Sequence, residues 1–267
     1  MSTTERVGLR RLRAVVLVLG AALLSGCASL ARDRIYFPEP MPAAIGPWAE
    51  RAPQEVAVTT ADGLKLRGYY WPPSAPEGDL IVFFHGNAGN RHEAARMAEP
   101  LARNGGGVLV ASYRGYGDNP GAPSETGLLA DGAAFLKLAR ELSPQSRVYL
   151  FGYSLGAAVA LEMAAREEVA GVITLGAFAR LADLAPAFAR GLIPDRYDNR
   201  AAIARVSEPV LLIHGTADEV VPVAAVKVLR EAAAGPVRVL WLRGAPHNVA
   251  FDDLAPMIRD NIRQMPR

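Results

Sequence analysis

The chain is poor in cysteine, lysine and histidine, and each shortage narrows what it can do. Cys27 is the only cysteine among 267 residues. This excludes an intrachain disulfide, a cysteine-rich zinc site and a thiol nucleophile anywhere after the first tenth of the chain. Lys65, Lys137 and Lys227 are the only lysines, so basic character comes almost wholly from arginine, a compositional trait without functional content. The formal net charge is +2, and Arg6, Arg10, Arg11 and Arg13 against Glu5 place that surplus at the head of the chain. The remainder is close to neutral, which removes the usual signal for a nucleic-acid partner. No Gly-rich phosphate loop and no metal-ligand spacing occurs, so neither a metal nor an organic cofactor is expected. Any histidine chemistry must come from His85, His92, His214 or His247.

What is present is a hydrophobic content of 51%, enough for a substantial core, and one catalytic domain is expected at this length. Glu55–Thr60 and Lys65–Trp71 flank Asp62-Gly63, a hairpin signal. Strand and helix patterns then alternate. Strands are expected at Leu80–Phe84, Val108–Ser112, Val148–Gly152, Val172–Leu175, Val210–Ile213 and Val237–Leu242. Helices are expected around His92–Arg103, Glu125–Leu142, Ala157–Ala165, Ala224–Ala233 and Leu254–Arg263. Short, continuously apolar strands between helices imply an α/β fold with a mostly parallel central sheet covered on both faces. Ligand chemistry then belongs at the carboxyl ends of the strands.

The unusual residues fall there. His85-Gly-Asn87-Ala-Gly89, Tyr113-Arg-Gly-Tyr-Gly117, Ser154, His214-Gly-Thr-Ala-Asp218 and Gly244-Ala-Pro-His247 each follow a strand. Ser154 lies in Gly152-Tyr-Ser-Leu-Gly156, where a strand meets a helix and the central residue is forced into a strained corner. A serine hydroxyl needs a base, and the base needs an acid to fix its tautomer. His92 lies in a helical pattern and is expected to face solvent. His85 and His214 directly precede glycine, where loop hydrogen bonding is the ordinary role. His247, in a loop of Gly, Ala and Pro with no packing role in evidence, is the candidate base. Asp218 is the candidate acid by position, whereas Asp62, Asp118, Asp131, Asp183 and Asp195 fall in turns, helices or the long interval from Gly176 to Ser207.

These residues together resemble the α/β-hydrolase superfamily over nearly all of residues 55–263, in the chain order Ser154, Asp218, His247. Phe84-His-Gly-Asn-Ala-Gly-Asn90 and Ser112-Tyr-Arg-Gly-Tyr-Gly117 look more narrowly like its Bem46/ABHD13-type branch, with Asp118-Asn-Pro-Gly121 where many relatives carry a serine-rich turn. The resemblance implies a serine hydrolase of carboxylic esters or acyl thioesters, acting on a small-molecule or lipid acyl ester without a cofactor. It also implies an oxyanion hole from the backbone N–H groups of Leu155 and Asn87, with the Asn87 side chain free to support its loop instead. The 176–207 interval is where a cap belongs, and its shortness implies a small one. Phe178, Leu181, Leu184, Phe188, Leu192 and Ile193 recur there at roughly helical spacing, a stripe that suits core packing more often than an acyl pocket. Phe178, Leu181 and Phe188 are its pocket candidates. Two other readings stay open: a peptidase or amidase on the same fold, and a non-catalytic envelope-binding lipoprotein.

Arg10-Arg-Leu-Arg13 precedes an apolar run from Ala14 to Gly26, right for an export signal and short of the roughly 20 residues that span a bilayer. Leu24-Ser-Gly-Cys27 resembles the bacterial lipobox, which implies cleavage before Cys27, a diacylglycerol thioether on it, and a membrane as partner. Ala28 resembles the outer-membrane sorting pattern, so a lipid-anchored place in the cell envelope is expected, outer membrane before inner. Pro38, Pro40, Pro42, Pro47 and Pro53 forbid a continuous helix, so the expected division is a signal peptide 1–26, a Pro-rich tether 27–54 and a catalytic domain 55–267. Ile35-Tyr36-Phe37 and Trp48 are too apolar for a free linker, and part of the tether is expected to pack.

Overall fold

The structure, a computed structural model, describes residues 30–265; the expected signal peptide and Cys27 lie outside the described residues. Β-branched and aromatic runs bounded by Gly, Pro and Asp form the strands, in chain order β1 (Phe37–Pro38), β2 (Gln54–Thr59), β3 (Lys65–Trp71), β4 (Leu80–Phe84), β5 (Ala88–Gly89), β6 (Gly107–Ala111), β7 (Val148–Tyr153), β8 (Gly171–Leu175), β9 (Val210–Gly215) and β10 (Val237–Leu242). The helices are α1 (Arg91–Ala102), α2 (Glu125–Leu142), α3 (Leu155–Ala164), α4 (Asn199–Ile203), α5 (Ala224–Ala232) and α6 (Phe251–Arg263). Asn90 caps α1 by accepting from the backbone N–H groups of His92 and Glu93, and Ser124 caps α2 by accepting from Gly127 N–H. Each cap satisfies donors that a helix N-terminus leaves unpaired.

One eight-stranded sheet runs in the order β10-β9-β8-β7-β4-β6-β3-β2. The β2–β3 hairpin and the β3–β6 pairing are antiparallel, and every other neighbour pair is parallel. The side-chain period of two divides the core cleanly. Leu80, Val82 and Phe84 of β4 face a core shared with α2, α3 and α5, while Ile81 and Phe83 face a second core shared with α1 and α6. That is how a strand reads as unbroken apolar residues when both faces are covered.

From β4 the chain passes first to β6 on one side and then back to β7 on the other. A crevice opens at the carboxyl ends where the connections diverge. Residues that follow β4, β6 and β7 therefore share one rim.

One expectation needs correction. His92 does not face solvent: it is 9% exposed, because Trp48 from the Pro-rich segment lies edge-on over it at 5.2 Å. The apolar stripe after Phe178, for which no helix was expected, recurs at helical spacing without being one helix. Pro186 and Pro194 interrupt it, leaving two 3-10 turns, Leu181–Leu184 and Ala187–Leu192, before α4. An antiparallel bridge between Arg180 and Asp198 closes the base of this small cap.

The segment before β2 packs rather than dangles. Ile35 and Tyr36 are buried, and Phe37-Pro38 pairs in parallel with Ala88-Gly89. Arg32 makes a two-point ion pair with Asp195, Nε–Oδ2 3.0 Å and Nη2–Oδ1 3.0 Å. Tyr36 donates to the same carboxylate at 2.8 Å and lies 2.9 Å, oxygen to oxygen, from Tyr197. Residues 32–40 thus form a strap from the cap to the loop after β4.

Candidate active site

Ser154 sits between β7 and α3 with φ 52° and ψ −114°, a conformation that costs an ordinary residue about 1–3 kcal/mol. The surroundings enforce it. A Cβ on Gly156 would lie 2.0 Å from the Phe84 carbonyl oxygen, and one on Gly152 would lie 2.3 Å from the Gly156 carbonyl oxygen. Only glycine lets the corner press onto the end of β4. Ser154 N–H donates to Leu175 O at 2.8 Å, which ties the corner to β8.

Asp218, in the loop after β9, has a side chain only 1% exposed. Its Oδ1 accepts from Val220 N at 2.9 Å and Val221 N at 2.7 Å, and its Oδ2 meets His247 Nδ1 at 2.8 Å. Burial pushes this carboxyl up, but the hydrogen bonds from Val221, His247 and Val220 outweigh it and hold Asp218 below the usual carboxylate range. An ionised carboxylate only accepts, so the proton of the neutral imidazole belongs on Nδ1 and the Nε2 lone pair is free. That Nε2 faces Ser154 Oγ at 3.0 Å. The Tyr153 ring lies 5.5 Å from the imidazole, and its hydroxyl donates to Asn248 Oδ1. Burial, with smaller contributions from Asp218 and Glu219, pushes that phenol up to about 12, so it remains a donor near neutral pH.

Of the competing histidines, His214 Nε2 lies 2.9 Å from Val221 O, and 3.6 Å from Asp218 Oδ2. It braces the acid loop. His85 Nδ1 lies 2.9 Å from Gly86 O, with its ring against Tyr113 at 4.4 Å. Neither reaches Ser154.

The N–H groups of Leu155, at the head of α3, and of Asn87, in the loop after β4, donate to no partner among the described residues. The Asn87 side chain supports the loop instead, donating to Ile35 O at 2.7 Å. Its carbonyl accepts from Phe37 N at 2.8 Å and from the Tyr116 hydroxyl at 2.7 Å. Every bond holding this loop to the strap leaves the Asn87 N–H free.

A cavity of about 700 Å³ opens on Ser154, His247, Leu155 and Asn87. Phe178, Leu181, Leu184 and Ile193 of the cap form its apolar wall, opposed by Ile35 of the strap and Met97 of α1. These four residues of the stripe do both: they belong to or pack against the larger core, as expected, and they line the cavity. Phe188 is not part of it: the Pro186 interruption turns that side chain outward, 86% exposed. The strap and the Tyr153–Asn248 pair were not singled out as site residues from the sequence; the apolar Ile35-Tyr36-Phe37 within a Pro-rich stretch was the signal for the strap.

Residues 79–199 match a family model described as alpha/beta hydrolase fold. The chain is 37% identical over 256 residues to protein Rv2307c of Mycobacterium tuberculosis, covering 91% of each chain. It is 34% identical over 173 residues to alpha/beta hydrolase domain-containing protein 17B of Xenopus laevis, covering 63% of this chain and 60% of that one. Among solved structures it is similar to the Pyrococcus furiosus esterase Pf2001, with a TM-score of 0.69 at 19% identity, covering 86% of this chain and 98% of that one; this is a likeness of fold. With the doubly covered parallel sheet, the serine corner after β7 and these matches together, the chain belongs to the alpha/beta hydrolase fold family.

Proposed function

We propose that the protein is an exported, membrane-tethered serine hydrolase that cleaves carboxylic esters or acyl thioesters through Ser154, His247 and Asp218. The observation that carries this reading is the unbroken hydrogen-bonded line Asp218 Oδ2, His247 Nδ1, His247 Nε2, Ser154 Oγ, at 2.8 and 3.0 Å, ending in an apolar cavity. In the reaction, His247 Nε2 takes the Ser154 proton as Oγ attacks the carbonyl carbon, and Asp218 stabilises the imidazolium. The developing oxyanion is received by the N–H groups of Leu155 and Asn87, where a single donor contributes about 2.7–4 kcal/mol to such a transition state. His247 returns the proton to the leaving alcohol or thiol, giving an acyl-enzyme. Water activated by the same imidazole then releases the acid and restores Ser154.

The Bem46/ABHD13-like motifs after β4 and β6 favour placement in that branch. Lipidation of Cys27 after removal of residues 1–26 would anchor the chain in a bacterial cell envelope, with Ala28 favouring the outer membrane. The test is labelling by a fluorophosphonate probe: wild type is expected to label and Ser154→Ala to lose all of it, and Ser154-independent labelling would refute the mechanism. Against a series of p-nitrophenyl esters and aminoacyl anilides, esters are expected to turn over faster; the reverse order would establish an amidase. Cys27→Ser is expected to abolish incorporation of labelled fatty acid and to release the protein from membranes.

A further inference from the structure

Segments that line the cavity also carry apolar side chains that the fold leaves uncovered. In the cap, Phe188 is 86% and Leu192 74% exposed, and the turn that carries them runs between Ala185 and Ile193, both of which line the cavity. In the strap, Phe37 is exposed between the lining residues Ile35 and Glu39. Leu30 is 70% exposed, two residues before Arg32, whose ion pair is with Asp195, the second residue after the lining residue Ile193. In the acid loop, Val220 is both exposed and part of the cavity lining. Large apolar side chains at such exposures, on three segments flanking one opening, mark a surface that meets something apolar.

The chain itself indicates what that is. Leu30 lies two residues before the strap, and Cys27 precedes Leu30 by a stretch that can span only about 10 Å at full extension. An acyl-bearing Cys27 therefore puts the bilayer within reach of the cavity mouth, and on that side of the molecule. We propose that the rim formed by Leu30, Phe37, Phe188, Leu192 and Val220 docks on a lipid surface, and that the substrate is an acyl ester resident in the leaflet, whose chain passes from the bilayer into the cavity without crossing water. This rests on the hydrolase reading above and specifies its substrate class. The reaction is that same hydrolysis: the acyl–oxygen bond of the lipid breaks, water supplies hydroxyl to the acyl carbon and a proton to the leaving alcohol, and the fatty acid is released next to the membrane that accommodates it.

The test uses the full chain reconstituted into phosphatidylcholine vesicles. Phe188 and Leu192 lie outside the cavity lining, so Phe188→Ser with Leu192→Ser changes the rim and leaves the reacting groups in place. Hydrolysis of a long-chain p-nitrophenyl ester embedded in the vesicles is expected to fall about tenfold or more, while turnover of soluble p-nitrophenyl acetate and phosphonate labelling of Ser154 stay at wild-type levels. Equal loss on both esters would assign these residues to the fold, and no loss on the embedded ester would remove the docking surface; either overturns the proposal. Wild type that labels with neither probe nor ester would instead refute the hydrolase reading, so the two failures are distinct. A second readout needs no turnover: with Phe188→Trp, vesicles of bromine-labelled phosphatidylcholine are expected to quench the added indole emission. An unquenched indole would show that the rim meets something other than lipid, a protein partner included.

Discussion

Three side chains drawn from three different strand ends would not converge unless each were held by its own local device. For Ser154 the device is the positive φ, a strain of about 1–3 kcal/mol offset by the packing of Gly152 and Gly156. For Asp218 it is the pair of N–H donors from Val220 and Val221, which keep the carboxylate ionised and aimed at His247. Asp218→Asn tests that role directly. An amide can present N–H to Nδ1 and so favour the wrong imidazole tautomer, and kcat is expected to fall by about 10⁴ with the circular dichroism spectrum unchanged. A loss of less than tenfold in steady-state kinetics would mean that Asp218 only supports its loop.

The strap is the element that the rest of the site depends on and that resembles an element least, since β1 has only two residues. It joins the cap, through Asp195 and Tyr197, to the loop carrying Asn87. Tyr36→Phe removes one hydroxyl, leaving Asp195 with Arg32 alone among these partners and Tyr197 without its neighbour. A buried polar group left unpaired costs about 1–3 kcal/mol, and urea unfolding is expected to show a loss of that size. Because the strap forms cavity wall and not the proton path, KM for long-chain esters is expected to rise with kcat nearly unchanged; a fall confined to kcat would contradict this. Long elements such as β4, β7 and α2 were legible in the sequence because each buries a continuous or periodic apolar face over many residues. So was the grouping of Ser154, Asp218 and His247 at strand ends, since a parallel sheet puts all such ends on one edge. That Ile35-Tyr36-Phe37 packs was legible too, from its apolar character, but the partners that shape the strap and the broken cap were not, because they are distant in sequence: Asp195 lies 163 residues from Arg32. His92 was misread for the same reason, as helical periodicity says nothing of a Trp48 arriving from an irregular segment.

At the scale of the molecule, rings and loops packed over the carboxyl ends of the strands bury part of what stands there, and the sharpest consequence is at His85. Its imidazole, at the end of β4, is 3% exposed, closed in by Tyr113 and Tyr116 at 4.4 and 5.1 Å, and Nε2 has no partner among the described residues. Burial pushes its pKa down to about 4 from 6.5, with the Gly86 carbonyl opposing weakly. The folded chain therefore leaves this group neutral over a range in which the unfolded chain protonates it. Its contribution to stability is complete above pH 6.5 and is lost as pH falls from 6.5 through 4, a change of about 3 kcal/mol for a shift of this size. His92 shifts in the same direction, through burial and then Arg96 and Arg91, so some slope survives without His85. Asp218 and Asp118, whose carboxyls are held low, lose their contributions only at more acid pH. The expected result in urea titrations between pH 7.5 and 4 is a steep loss of unfolding free energy for the wild type and a clearly shallower one for His85→Asn, whose amide N–H can still reach Gly86 O. The slope, and not the absolute stability, carries the test, because the substitution also removes ring contacts with Tyr113 and Tyr116. Equal slopes in the two proteins would mean that water reaches the His85 imidazole in the folded chain and that Tyr113 and Tyr116 do not close it in.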